Sequence, residues 1–369
     1  MSIAVVQVSR EALRHNVASL KTEGVRTVAA VKANGYGAGL EQVVECIEDL
    51  VDFFQVDDYD ELVRLRASTE KQAHVFGYVE ADALQEALGL DAELAVFDAD
   101  HAAQIGAEAR KLRRPVKVHL KIDALLGRLG TLPSEVPTLL KALEEFPELQ
   151  PVAAYAHFAN IEDTTDLSHA EEQIRQFEIA LTKLRQVYPT LGRHMSATSG
   201  VMTDRHGSSP DDLARLGIGV YGLYPSAALA KTRSALKIKP AIEWKTVLAQ
   251  VKTLPPRHPV GYGLTYITSR EMRIGIVPQG YSDGYDRGLS NVGEVLVGGK
   301  RCPVLGRIAM NMFAVDLSAV PGAKREDEVV LLGRQGSEAI TAEELAARLG
   351  TINYEIIARL NPAIRRQIV

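Results

Sequence analysis

Lys32 stands directly after a short apolar segment, residues 25–31, whose Val and Ala content predicts a buried strand. A lysine in an apolar setting loses its proton readily, and a neutral amine can condense with an aldehyde. Glycines at positions 35, 37 and 39 would let the backbone come close to a bulky group. These residues indicate a Schiff base to an aldehyde cofactor such as pyridoxal phosphate. The alternative is a solvated lysine that precedes a Gly-rich turn.

The elements that would position this lysine alternate along the first 225 residues. Eight strand candidates are mostly separated by helices, which is the order of a (β/α)8 TIM-type barrel. A doubly wound open sheet is the competing layout, but no Gly-x-Gly-x-x-Gly opens a helix after the first strand. The strand candidates are Val25–Val31, Phe53–Val56, Ala73–Phe76, Leu94–Phe97, Val116–Ile122, Val152–Ala156, His194–Ala197 and Gly217–Tyr221. The helix candidates include Tyr59–Ser68, Leu84–Leu88, Ala102–Leu112, Val136–Glu145 and His169–Val187.

The sequence pattern changes near residue 230, where strand-like segments joined by turns replace the alternation of strands and helices. We expect a barrel domain over residues 1–230 and a mainly β domain over residues 231–369. One helix in the second domain, Ala342–Leu349, has Thr341 as its expected N-cap and Gly350 after its end. The strand candidates there are Glu243–Thr253, Met272–Val277, Glu294–Val297, Val304–Asp316 and Glu328–Leu332.

Composition narrows the class of protein. The chain has 369 residues, and its net charge of −5 comes from 42 basic and 47 acidic residues that are mixed along it, which argues against a nucleic-acid partner. The two cysteines, Cys46 and Cys302, have no metal-ligand spacing, so we expect neither a metal site nor a disulfide framework. No signal peptide or membrane span is recognisable, and we expect a cytoplasmic location.

Several polar residues follow the predicted barrel strands, where such barrels gather catalytic groups. They include Arg128, His157, Ser199 and Arg215. Ser199, Gly217 and Ile218, which lie in the loops around the seventh and eighth predicted strands, suit the binding of a phosphate group. Taken singly, Arg128 could be a solvated loop residue, His157 a core histidine and Ser199 a helix cap. Together with Lys32 they fit a pyridoxal phosphate site.

Six motifs in order make the chain similar to the alanine racemases, which are fold-type III pyridoxal phosphate enzymes. The resemblance extends over essentially the whole length. Its motifs are Ala29-Ala30-Val31-Lys32-Ala33-Asn34-Gly35-Tyr36-Gly37, Arg215-x-Gly217 with Tyr221-Gly222, Gly261-Tyr262-Gly263-x-Thr265-Tyr266, Gly280-Tyr281-x-Asp283-Gly284-Tyr285, Gly306-Arg307-x-x-Met310, and Asn353-Tyr354-Glu355 with Arg359.

The resemblance implies the catalytic roles. Lys32 would serve one face of the substrate α-carbon, and Tyr262 of the second subunit would serve the other, so a homodimer with shared sites is expected. Tyrosine titrates near about 10, so Tyr262 would need activation by positive charge or hydrogen bonding. Arg215 would face the pyridine nitrogen, disfavour its protonation and shorten the life of the carbanion, which limits side reactions.

The binding roles are implied in the same way. Arg128 and the Met310 N–H of the partner would hold the substrate carboxylate, and Tyr281 would narrow the entrance for small substrates. Lys121 matches a lysine that is carbamylated in some members. The expected cofactor-binding residues are Lys32, Tyr36, His157, Ser199, Arg215, Gly217, Ile218 and Tyr354.

Three departures from the family pattern bear on the substrate. Residues 123–126 read Asp-Ala-Leu-Leu instead of Asp-Thr-Gly-Met, Asn311 replaces a common Asp, and residues 197–200 read Ala-Thr-Ser-Gly instead of Ala-Asn-Ser-Ala. We expect interconversion of L- and D-alanine for bacterial peptidoglycan. A racemase for serine or a basic amino acid is the first alternative, a fold-type III decarboxylase the second, and a non-catalytic pyridoxal phosphate protein the third.

Overall fold

The computed structural model describes residues 3–162, 166–205 and 212–369 and divides into two compact units. The first, here called the barrel unit, comprises Glu11–Ala33 and Val43–Pro240. The second, the β unit, comprises Met1–Arg10, Asn34–Gln42 and Ala241–Val369. Strand β1 (Val5–Val8) therefore belongs to the β unit although it lies far from that unit's other strands in sequence.

The barrel unit is built on a nearly closed sheet of eight parallel strands. They run in the order β8-β7-β6-β5-β4-β3-β2-β9, and the Arg215 N–H donates to Ser196 O at 3.1 Å between the two ends of this order. Strands β3, β4, β5 and β9 are buried along their whole length, as expected where helices cover the outer face of a sheet and side chains fill its interior. The strands are β2 (Arg26–Ala30), β3 (Phe53–Val56), β4 (Ala73–Val75), β5 (Ala92–Val96), β6 (Val116–Lys121), β7 (Leu149–Tyr155), β8 (Gly192–His194) and β9 (Leu213–Leu216).

Helices follow most of the barrel strands, and acidic caps fix two of their starts. Asp58 accepts from the Glu61 N–H at the start of α4, and Asp98 accepts from the His101 N–H at the start of α6. The helices are α1 (Arg10–Leu20), α2 (Lys32–Tyr36), α3 (Leu40–Ile47), α4 (Tyr59–Arg66), α5 (Leu84–Gly89), α6 (Ala99–Leu112), α7 (Val136–Glu144), α8 (Ser168–Val187), α9 (Thr198–Met202) and α10 (Ala227–Thr232). Within the described part of the chain, no helix combines the length and the apolar character that a membrane span requires.

The β unit is a mainly antiparallel sheet in the order β11-β12-β15-β14-β13-β16-β10-β1-β18, with β17 beside β16. Strand β1 pairs with β10 on one side and with β18 on the other. The strands are β10 (Ile242–Val247), β11 (Gln250–Leu254), β12 (Met272–Val277), β13 (Glu294–Val297), β14 (Lys300–Leu305), β15 (Phe313–Asp316), β16 (Glu328–Gln335), β17 (Glu338–Ile340) and β18 (Arg365–Ile368). Helices α11 (Ala342–Leu349) and α12 (Asn353–Ala358) follow β17.

The predicted barrel and mainly β domain are confirmed as a fold class, and so is the cap of α11. The Thr341 side chain accepts from the Glu344 N–H, and Gly350 ends the helix at φ +69°.

Four strand predictions were wrong in detail. The predicted strand His194–Ala197 shares only His194 with the observed strand β8, which begins at Gly192. The predicted strand Gly217–Tyr221 is a 3-10 turn over Ile218–Tyr221, and the strand is β9, just before it. The predicted strand Glu243–Thr253 is two strands, β10 and β11, which are not neighbours in the sheet. The predicted strand Val304–Asp316 is also two strands, with residues 306–312 as a loop between them.

Candidate active site

Lys32 lies at the carboxyl end of β2, where the sequence pattern predicted it. The buried Val31 N–H donates to Gln55 O at 2.8 Å, which holds this strand end against β3. The Lys32 Nζ donates to Asp57 Oδ1 at 2.9 Å, and 39% of the Lys32 side chain is exposed. The amine is therefore paired with a carboxylate from the next strand end, and it remains open to a reactant.

Lys32 begins α2, which is a single left-handed turn. Residues 33–36 all have positive φ, from +51° to +60°, and only one of the four is a glycine. Left-handed backbone costs roughly 1–2 kcal/mol for each non-glycine residue, and such strain is typical of functional sites. The turn closes when the Gly37 N–H and the Gly39 N–H donate to Asn34 O at 3.1 and 2.8 Å.

The glycine at position 37 serves the packing of the protein itself. Its φ is +84°, and a Cβ there would stand 1.9 Å from Ile357 O. The Gly37 carbonyl accepts two hydrogen bonds from the Arg366 guanidinium, at 3.1 and 2.9 Å. Within the β unit, this glycine therefore allows the turn to approach α12 and β18 rather than a cofactor.

Glu61 is a residue of this region that the sequence analysis missed. Its Oε1 accepts from the Ala33 N–H at 2.6 Å and its Oε2 accepts from the Asp57 N–H at 2.9 Å. One carboxyl group thus joins the strand ends that carry Lys32 and Asp57. Burial raises the pKa of Glu61, against the lowering effect of its hydrogen bonds to the two backbone N–H groups. In the sequence Glu61 is one of several charged residues of a predicted helix, so nothing there indicated that it binds these two backbone N–H groups.

Arg215 is buried on β9, and only 6% of it is exposed. Its Nη2 donates to Ala156 O at 2.7 Å and to Met195 O at 2.9 Å, the carbonyls that follow β7 and β8. Its guanidinium also lies over the rings of Phe76 and Tyr155, at 5.1 and 5.6 Å from their centroids. A permanent positive charge is therefore fixed at the carboxyl ends of the strands.

That charge acts on two buried groups nearby. Burial holds the pKa of His157 well below its usual range, and Arg215 lowers it further, so the imidazole is neutral. Burial, followed by Arg215 and Arg128, also lowers the pKa of Lys121 from 10.5 to about 7. The Lys121 Nζ lies 4.7 Å from the centroid of the Tyr155 ring. An amine of this pKa is partly neutral near pH 7.

Arg128 lies on an exposed loop that Asp123 organises. The Asp123 Oδ1 accepts from the N–H groups of Leu126 and Gly127, at 2.9 and 3.1 Å. Backbone bonds between Thr131 and both Lys121 and Asp123 close the base of the loop. The departure from the family pattern at residues 124–126 therefore lies in a loop whose shape Asp123 fixes.

The residues predicted to hold phosphate in the barrel unit lie beside one another. Ser199 is on α9, and Gly217 and Ile218 follow β9. The Thr198 Oγ1 accepts from the Gly217 N–H at 3.0 Å and from the Gly219 N–H at 3.3 Å, which joins the two segments. Thr198, which replaces the usual Asn of the family, therefore supplies the hydrogen bonds that join α9 to the segment after β9.

The remaining predicted site residues belong to the β unit. The rings of Tyr36 and Tyr354 are 6.3 Å apart, so these two lie together. Tyr262 opens a 3-10 turn, is 72% exposed, and stands between Gly261 at φ +75° and Gly263 at φ +71°. A Cβ on Gly263 would lie 3.1 Å from the Arg307 Nε, so the turn packs closely on this arginine.

Tyr281 and Met310 lie on two segments that pack together in the β unit. The Tyr281 N–H donates to Ala309 O at 3.2 Å, and the Ser282 Oγ donates to Met310 O at 2.8 Å. The family departure Asn311 donates from its Nδ2 to Ser282 Oγ at 2.9 Å. Tyr281 is 42% exposed and Met310 55% exposed.

The family of the chain follows from comparison with known proteins. The family model "Alanine racemase, N-terminal domain" matches residues 8–225, and "Alanine racemase, C-terminal domain" matches residues 241–368. The chain belongs to the alanine racemase family. It is thus an isomerase by family, as the sequence motifs predicted.

Relatives agree with this family over nearly the full length. A curated alanine racemase of Symbiobacterium thermophilum is 36% identical, over 98% of this chain and 95% of its own. The crystal structure of the alanine racemase of Streptomyces lavendulae matches with a TM-score of 0.92 at 30% identity, over 99% of this chain and 97% of its own. The Bartonella henselae alanine racemase, with covalently bound pyridoxal phosphate, matches in fold, with a TM-score of 0.86 at 23% identity over the whole of both chains.

Proposed function

We propose that the protein interconverts L- and D-alanine with Lys32 and Tyr262 as its two proton-transferring groups. The observation that carries the proposal is the place of Lys32. Its amine follows the end of β2 at the start of a strained turn, and the neighbouring strand β9 carries the fixed charge of Arg215. Family membership supports alanine as substrate, because relatives that match over nearly the full length, such as those of Symbiobacterium thermophilum and Syntrophobacter fumaroxidans, are named alanine racemase.

The donor set of the barrel unit fits pyridoxal phosphate. The buried His157 Nδ1 makes no hydrogen bond to any described residue, which is the kind of polar atom that a bound group would satisfy. When bound, the cofactor disperses the negative charge left at the substrate α-carbon. In our proposal the residues that hold it are Lys32, Tyr36, His157, Ser199, Arg215, Gly217, Ile218 and Tyr354.

Lys32 would take the α-proton from one face of the substrate and return it there in the reverse direction. Its partner Asp57 keeps the amine in place until a reactant replaces the ion pair. Arg215 would keep a positive charge against the ring nitrogen of the cofactor and so disfavour its protonation. That limits how far charge spreads and favours return of the proton over other reactions.

Tyr262 would act on the opposite face from the partner subunit, which makes the working enzyme a homodimer. The exposure of Tyr262 supports this role of a second subunit. The side chain is 72% exposed in one chain, and a catalytic phenol needs a second surface to form its pocket. Other large apolar side chains of the β unit are exposed as well: Leu264 at 65%, Ile267 at 54% and Met312 at 53%. Such a group is typical of an interface with another protein.

The proposal extends to the substrate. Arg128 would bind its carboxylate together with the Met310 N–H of the partner, and Tyr281 would limit the room for its side chain. D-Alanine made in the cytoplasm would supply bacterial peptidoglycan. Initial rates with L-alanine, L-serine and L-lysine separate alanine from the alternative substrates that the departures at residues 124–126 and Asn311 suggest.

The cofactor is tested by borohydride reduction of the purified holoenzyme. We expect a visible absorption band that reduction abolishes and a cofactor adduct on the peptide that contains Lys32. An adduct on another lysine, or none, contradicts the proposal.

The two proton-transferring groups are tested by Tyr262→Phe in D2O. We expect the variant to keep the cofactor band and to lose at least about 100-fold in racemisation, as for removal of an acid–base group. It should still exchange the α-proton of one alanine enantiomer only, through Lys32. Tyr266→Phe, in the same loop, is the matched control and should keep its activity. Unchanged racemisation by Tyr262→Phe would exclude the phenol as the second group.

A further inference from the structure

Three buried histidines lie together inside the barrel. His74 on β4, His119 on β6 and His194 on β8 are each only 1% exposed. They come from alternate strands, which is how one layer of a barrel interior is filled, but such layers normally contain branched apolar side chains. One ring nitrogen from each histidine lies within 4.8 Å of the other two. This His cluster takes no part in the mechanism described above.

One member of the His cluster is oriented by a carboxylate. The His119 Nε2 is 2.5 Å from Glu93 Oε2, and Glu93 is itself buried. Because the carboxylate accepts, the Nε2 carries the proton and the His119 Nδ1 presents its lone pair. That lone pair faces the His194 Nε2 at 2.9 Å. A carboxylate that fixes the tautomer of a histidine in this way is the usual support of a metal-ligating imidazole.

The other members have hydrogen-bonding capacity to spare. Neither ring nitrogen of His74 makes a hydrogen bond to a described residue, and the same is true of the His194 Nδ1. Buried polar atoms are almost always partnered, so three such nitrogens at one place call for a ligand. Burial disfavours the protonated rings, and neutral imidazole is the form that binds metals.

We propose that His74, His119 and His194 form a binding site for one divalent transition-metal ion of the Zn²⁺ type. Imidazole donors select Zn²⁺, Co²⁺, Ni²⁺ or Cu²⁺ over Mg²⁺ and Ca²⁺, which prefer oxygen. The ion forms bonds to one nitrogen of each ring and replaces the hydrogen bond between His119 and His194. No proton is lost, because the proton on the His194 Nε2 moves to its Nδ1.

The ring separations fit this site for two of the three pairs. Two imidazoles on a tetrahedral ion, with metal–nitrogen distances of about 2.0 Å, have ring centres roughly 5 Å apart. The His119 and His194 centroids are 5.0 Å apart, and those of His74 and His194 are 5.6 Å apart. The His74 and His119 centroids are only 3.7 Å apart, with the ring planes tilted by 32°, so metal binding moves the His74 ring away from His119.

Charge also bears on the site. The positive charge of Arg215 lowers the pKa of both His74 and His194, and it also repels a bound cation. The Glu93 carboxylate is the negative charge that offsets this repulsion. The half-exposed Lys117 also faces Glu93, with its Nζ 3.7 Å from the Glu93 Oε1. A pocket of about 200 Å³ lies between α8 and β8; His194 is the one member of the His cluster among its described lining residues.

Metal analysis of the holoenzyme tests the site. The protein is made without a polyhistidine tag in medium that contains Zn²⁺, and metal per chain is measured by plasma mass spectrometry. We expect about one ion per chain. We expect at least a tenfold loss in His74→Ala and in His194→Ala, and Glu93→Gln should weaken binding about 10–100-fold. His101→Ala is the matched control, since His101 is also buried with no hydrogen bond from its ring to a described residue.

Growth with Co²⁺ adds a readout of ligand type, because tetrahedral nitrogen ligation gives intense visible d–d bands. Bands that are present in the wild type and in His101→Ala but absent in the cluster variants support the proposal. Wild-type protein with no bound metal and no such bands overturns it, even if the variants fail to fold. Metal that persists in all cluster variants overturns it too. Racemase activity does not enter either readout, so the result is independent of the function proposed above.

Discussion

Replacing Lys121 by Met should stabilise the protein at low pH. Lys121 is 6% exposed, and its pKa falls from 10.5 to about 7, mainly through burial. At about 1.4 kcal/mol for each tenfold change in proton affinity, burying the protonated amine costs about 5 kcal/mol at most. At pH 6 the native and the unfolded chains are both protonated, and the native state bears the whole cost.

The stability gain of Lys121→Met keeps the same sign at every pH, but its size changes with pH. Between pH 7 and 10.5 the unfolded chain holds the Lys121 proton and the native chain does not, so the stability of the wild type rises with pH. The advantage of Lys121→Met should therefore be greatest at pH 6 and fall to about 1 kcal/mol by pH 10. The neutral methionine has a similar length, so the packing along β6 is largely kept.

Urea unfolding followed by circular dichroism at pH 6, 8 and 9.5 measures this difference. The buffers are degassed, because a neutral amine reacts with carbon dioxide. Lys141→Met, at an exposed position of α7, is the control and should track the wild type at every pH. A difference that does not change with pH, or a wild type that is more stable than Lys121→Met at pH 6, would refute the assigned cause.

Three further substitutions test local features. Gly37→Ala should cost about 2–4 kcal/mol in the free energy of unfolding, measured by urea, because its Cβ would lie 1.9 Å from Ile357 O; little or no loss would contradict this. Thr341→Ala should cost about 1 kcal/mol through loss of the α11 cap, with Thr341→Ser as the control that keeps it. Thr198→Val removes the acceptor of the Gly217 N–H, and we expect cofactor dissociation to be several times faster by absorbance; an unchanged rate would show that the bond is not needed.

The alternation of strands and helices could be predicted from the sequence because parallel strands are buried on both faces. Such strands are continuous apolar runs, and β3, β4 and β5 show this pattern. Strand β9 was misplaced because its buried Arg215 looked like a loop residue, whereas the apolar residues after it resembled a strand. Periodicity alone cannot separate a short apolar strand from a 3-10 turn.

In the β unit, the local sequence pattern did not predict strands whose partners in the sheet are distant in sequence. Strand β1 has only four residues, and its partners β10 and β18 come more than 230 residues later. The split of β10 from β11 depends on the turn at Leu248 and Ala249, which are apolar and carry no Gly or Pro signal. Nothing local in those residues predicts either feature.

In the same way, the sequence could predict the site residues that are close in sequence but not those that only the fold brings together. Lys32 could be found because its strand and its Gly-rich turn are adjacent in sequence. The His cluster could not, because its members are separated by 45 and 75 residues and only strand order brings them together. Glu61 was missed because a carboxylate on a helix gives no sign that it binds two backbone N–H groups.

The pairing of β1 with β18 has a consequence for biosynthesis. Residues 5–8 leave the ribosome long before their hydrogen-bonding partner Arg365–Ile368, which is added about 360 residues later. At about 5–20 residues per second this is a delay of roughly 20–70 s. During that time a largely apolar strand has an open backbone edge, so the nascent chain should depend on chaperones that shield β1 until β18 has been added.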